Sequence, residues 1–158
     1  MSEPTIINED AAHNKFAVDC FNKIWTLLQK ENRTTEENEM MIHLAHTSLF
    51  HWLHVGTALH EQRGAWMLAW VYTILEDKTK ALHHAKCCLA LTEKNDFKDF
   101  DLAYAYESMA RACALNAMNS ESNHSLSRAK EAGEKIAEND DRDLFMNDLE
   151  SEPWFGVK

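Results

Sequence analysis

The sequence predicts an all-α protein, and three observations carry that expectation. Its two prolines, Pro4 and Pro153, stand at opposite ends, so the long middle of the chain holds no residue that breaks a helix. No stretch shows the sustained polar–apolar alternation of a half-buried strand. Capping residues recur instead at helix-length intervals.

The elements follow in order. A first helix is expected over residues 10–30, with an apolar stripe of Ala12, Phe16, Cys20, Ile24, Trp25 and Leu28. Thr34, followed three residues later by Glu37, makes a capping box for a second helix, which Gly56 stops. Thr57 caps a third that ends near residue 76, and Asp77 opens a fourth that reaches about residue 94. A fifth begins within NDFKDFD and ends near residue 119, and Ser120 caps a sixth that runs to residue 139. Asp140 and Asp143 form a further capping box before a short seventh helix at 141–149. In the tail, residues 150–158, Trp154 and Phe155 are too apolar to stay loose and are expected to dock. Six long helices with short loops predict three antiparallel hairpins, at 10–56, 57–94 and 97–139, within one domain spanning 1–158.

Composition narrows the function classes. The net charge of −10, spread along the chain, disfavours nucleic acid and anionic membrane as partners. No basic segment followed by an apolar run opens the sequence, and nothing approaches the roughly 20 apolar residues of a membrane-spanning helix. Cys20, Cys87, Cys88 and Cys113 form no CxxC pair and read as small core residues of a protein in a reducing cytoplasm.

Residues 65–91, AWMLAWVYTILEDKTKALHHAKCCLAL, resemble a tetratricopeptide repeat (TPR) of the kind found in bacterial helical-repeat proteins. Leu68, Ala69 and Tyr72 match the motif on its first helix; Ala81, Ala85 and Cys88 match the small contact positions of its second. A second, weaker copy follows, with Ala110, Cys113, Ser122, Leu126 and Ala129 in the corresponding places. The resemblance implies a TPR-like stack of the three hairpins in a right-handed superhelix, closed by the short seventh helix. A closed six-helix bundle is the alternative.

What the resemblance implies for function is a concave groove that holds a peptide or partner protein. Carried over residue by residue, it puts Arg63, Trp66, Trp70 and Thr73 of the third helix and Tyr104, Glu107 and Arg111 of the fifth on that groove. Indoles offer wide apolar contact, and guanidinium groups grip carboxylates in two-pronged fashion. The apolar residues Phe97, Phe100, Trp154 and Phe155 are candidates to cover the end of the stack or to expose it for a homodimer.

The alternative is a metal-binding protein or metal-dependent enzyme that uses the histidine-rich second helix. MIHLAHTSLFHWLH, residues 41–54, sets four histidines on the second helix. At about 100° per residue, Met41, Leu44, Ala45, Leu49, Trp52, Leu53 and Val55 share the apolar face. His43, His46 and His54 lie opposite with Glu36, Glu39 and Thr47, and His51 sits at the edge. His43 and His54 stand roughly 16 Å apart along the axis and cannot share an ion. Glu39, His43 and His46 form the compact set that a zinc or other divalent ion would use, with further ligands drawn from His13, His60, His83, His84 or His124. No cofactor is otherwise implied. The chain carries no G-x-S-x-G elbow, phosphate-binding loop or H-E-x-x-H helix, so no catalytic residues are expected.

Overall fold

A computed structural model describes Met1 and residues 6–158; Pro4 lies outside the described residues. All regular structure among the described residues is helical: α1 Glu9–Leu28, α2 Thr35–Val55, α3 Ala58–Ile74, α4 Lys78–Lys94, α5 Asp99–Leu115, α6 Asn119–Glu134 and α7 Asn139–Glu150. None of these helices is long and apolar enough to cross a membrane. The chain forms two compact units, Met1–Gly64 and Ala65–Lys158, the division falling within α3.

Local chemistry explains the helix starts. Asn8 accepts the Ala11 N–H at the head of α1. Thr34 and Glu37 close the expected capping box, at 3.2 and 3.0 Å. Asp77 accepts the Lys80 N–H at 3.1 Å. At α3 the reciprocal bond comes from His60, whose Nδ1 accepts the Thr57 N–H.

The stops of α3, α4 and α5 share one motif. Glu76, Asp96 and Ala117 sit at φ of 57°, 53° and 56°, and the next residue's N–H returns to the carbonyl of Tyr72, Thr92 and Cys113 respectively. None of the three is glycine, which is why the sequence places the end of the fifth helix four residues late. That early stop also corrects the sixth helix. Its cap is Met118, and Ser120 lies inside its first turn. The helix ends at Glu134 rather than residue 139. The Asp140–Asp143 box does not form either. α7 starts earlier, from Glu138, and Arg142 reaches back to the Ile136 carbonyl at 3.0 Å.

In the first unit, α1 packs along α2 around Ala17, Ile24, Met41, Ala45 and Ser48, whose hydroxyl donates to the Ala17 carbonyl at 2.8 Å. Gly64 lets the start of α3 come close: a Cβ there would stand 2.7 Å from Leu49 Cδ1. Phe16 and Trp25, expected on the inward stripe of α1, are exposed, as is Leu53 on α2.

In the second unit α5 is central. It packs on α4, α6 and α7, and eleven of its residues are buried. Ala103, Ala105, Ala110 and Ala112 keep it narrow enough for these helices to approach closely. Phe145, Leu149 and Trp154 complete one cluster with Leu126, Ala129 and Ile136.

Candidate functional site

The site lies on the second unit and is built from one face of α5. Tyr104, Glu107 and Arg111 follow one another at i, i+3 and i+7, so their side chains line up along the helix. Glu107 and Arg111 are 2% and 1% exposed, and the Arg111 Nε donates to Glu107 Oε1. Both terminal nitrogens donate to main chain: Nη1 reaches the carbonyls of Ser151 at 2.9 Å and Pro153 at 3.0 Å, and Nη2 that of Asp148 at 2.7 Å.

Aromatic rings enclose this group. The Arg111 guanidinium carbon stands 4.1 Å from the Trp154 ring centroid and 5.2 Å from that of Trp70. Trp66 donates its Nε1 hydrogen to Glu107 Oε2 at 3.3 Å and meets Tyr104 edge-on, with centroids 5.6 Å apart. The Tyr104 hydroxyl donates to Asp148 Oδ2 at 2.5 Å. Burial, and then the bond to Asp148, pushes the Tyr104 phenol well above its ordinary range. Burial likewise pushes the Glu107 carboxyl upward, against the opposing pull of the adjacent Arg111 guanidinium.

The segment held there is the chain's own C-terminal tail. The last carbonyls of α7 have no partner within the helix, and cations are favoured at that end. Arg111 takes the Asp148 carbonyl, while Trp154 Nε1 and Lys158 Nζ take that of Leu149 at 3.1 and 2.7 Å. Lys158 also pairs with Glu150 at 2.9 Å.

Five of the seven residues expected on the groove, namely Trp66, Trp70, Tyr104, Glu107 and Arg111, meet in this arrangement. Thr73 is buried on α3. Arg63 belongs to the first unit, where it lines a hollow of about 190 Å³ with Val18, Phe21, Trp52, His60 and Gly64. Docking of Trp154 follows from its apolar bulk, but nothing local in the sequence points it at Arg111, about forty residues away.

The histidines divide differently from the helical wheel. Glu39, His43 and His46 are exposed on α2. His51 and His54 meet His13 of α1, which the sequence offers only as one of several further metal ligands. The Nδ1 atoms of His13 and His51 are 2.7 Å apart, and the rings of His13 and His54 lie stacked at 4.3 Å and 5°. Lone pairs in parallel ring planes do not converge on one point. Among the described residues, no three His, Cys, Asp or Glu side chains form a group that could hold a metal ion.

Comparison with models of protein families, with curated proteins and with solved structures gave no match.

Proposed function

We propose that the protein is a TPR-like scaffold that binds a peptide or partner protein through the α3–α5 face of its second unit. The observation that carries this reading is the setting of Arg111: a buried guanidinium between two indoles, donating to three main-chain carbonyls of a terminal segment. Such a group recognises a chain segment by its backbone, and the guanidinium face opposite Trp70 accepts an indole, the place that Trp154 of the tail takes here. On this reading a partner would offer what the tail offers, a carboxylate to the Tyr104 hydroxyl and, a few residues on, an indole to the Arg111 guanidinium. In this state the chain supplies its own ligand, and a partner would take the tail's place. The four free cysteines agree with a reducing cytoplasm as the place of action.

The test uses the full chain with Trp154→Ala and a labelled peptide of residues 147–158. The variant is expected to bind the peptide while the unaltered chain does not. A variant that keeps its helical circular dichroism yet binds nothing overturns the reading and leaves the tail as a structural cap. Trp154→Phe, which preserves more of the packing, serves if the alanine variant does not fold.

A further inference from the structure

We propose that His13, His51 and His54 form a proton-operated clasp that holds α1 on α2 when neutral and releases it when more than one of the three imidazoles is charged. The geometry that carries this is the contact between two like nitrogens. A 2.7 Å approach of His13 Nδ1 to His51 Nδ1 is a hydrogen bond only if one nitrogen bears a hydrogen and the other a lone pair. A first proton on this pair is tolerated, because an imidazolium N–H can still donate to the neutral ring. With a second proton, two N–H groups face each other and the bond becomes a repulsion.

The third ring adds to the effect. His54 Nδ1 lies 2.8 Å from the Phe50 carbonyl, so it carries a hydrogen there and leaves Nε2 as its lone-pair nitrogen. Its ring is stacked on His13 at 4.3 Å, an arrangement that suits neutral rings and opposes two cations. Phe16 and Phe50 flank the cluster, with centroids 5.5 Å from His51 and 4.6 Å from His54 respectively. Burial and the two neighbouring imidazoles hold the His51 imidazole below its ordinary value of 6.5.

Charged groups on the surrounding elements do little to offset this. From Met40 to Val55, α2 carries no Asp, Glu, Lys or Arg, leaving only His43 and His46 as further titratable groups. Its carboxylate nearest in sequence, Glu39, lies twelve residues before His51, roughly 18 Å along the helix. On α1, Glu9 and Asp10 precede His13 by one turn and can balance one added proton, while Lys15 is engaged with Asp19. The start of α3 offers His60, Glu61 and Arg63. His60 is stacked on Trp52 at 4.0 Å.

The sign follows from linkage. A histidine kept neutral by the fold binds its proton more readily when unfolded, so stability is full above about pH 6.5 and falls as pH drops through the folded value. Because α1 rests on few buried side chains, the loss is felt as detachment of that helix.

Hydrogen exchange on the full chain, corrected for intrinsic rates, tests this at about pH 7.5 and about pH 5.5. Amides of residues 12–20 should lose protection by about tenfold or more at the lower pH, with those of α5 unchanged. The double variant His13→Gln, His51→Gln, which keeps donors and acceptors but cannot titrate, should lose less than about twofold. Equal loss in both proteins, or none in the unaltered chain, overturns the proposal. If the double variant does not fold, imidazole NMR of the unaltered chain decides. Coupled titration of His13 and His51, with loss of α1 contacts at the second proton, supports the clasp. Independent titration on an intact hairpin refutes it.

Discussion

The two units solve the same packing problem with different resources. The second unit surrounds α5 on three sides and then closes it with Phe145, Leu149 and Trp154, all at most 1% exposed. The first has a single strong interface, α1 on α2, with Ile24 and Met41 as its only large, fully buried apolar side chains among the described residues. Its bulky apolar residues face outward instead: Phe16, Trp25, Met40, Phe50 and Leu53 are all exposed. The difference shows what a central helix requires. The alanines of α5 let α4, α6 and α7 approach it closely, whereas α1 carries Phe16 and Trp25 exposed beside its interface with α2.

Substitutions can break or sharpen that contrast. Arg111→Ala removes the partner of buried Glu107 and the cap of α7 together, and should cost at least about 3–5 kcal/mol in urea unfolding of the full chain. Ile24→Ala in the thin core of the first unit should cost about 2 kcal/mol, the low end for a buried aliphatic, because the site can collapse towards solvent. If Ile24→Ala proves as costly as Arg111→Ala, the first unit is better packed than its burial implies. Thr34→Ala opens the capping box of α2 and should lower stability by about 1 kcal/mol, read from the midpoint of thermal unfolding. Ala117→Gly should raise stability by about 0.5–1 kcal/mol, since a left-handed φ of 56° is strained for alanine and free for glycine.

The helices were legible because their signals are local. A capping box spans four residues and a missing proline is visible at once, so the starts of α2 and α4 fall where the sequence puts them. The stop of α5 was not, because Ala117 adopts a glycine conformation that only the six-residue loop of hydrogen bonds stabilises. Burial was partly legible. The wheel finds the faces of α1 and α2, yet it ranks Phe16 and Trp25 above Ala17, the residue on which Ser48 actually closes.

The candidate site shows the same boundary between local and distant information. Tyr104, Glu107 and Arg111 share a face by helical spacing alone, and Trp66 and Trp70 share another. What lies across from them is decided by the path of the tail, which returns over α5 only after α6 and α7 have turned the chain. His13 and His51 meet in the same way, across a gap of 38 residues. Thus the sequence by itself determined the all-helical class, most element boundaries and which side chains share a face, because these depend on neighbours within about two turns. That Arg111 meets the tail and His13 meets His51 comes from the packing of helices, because the partners in each contact lie far apart in the chain.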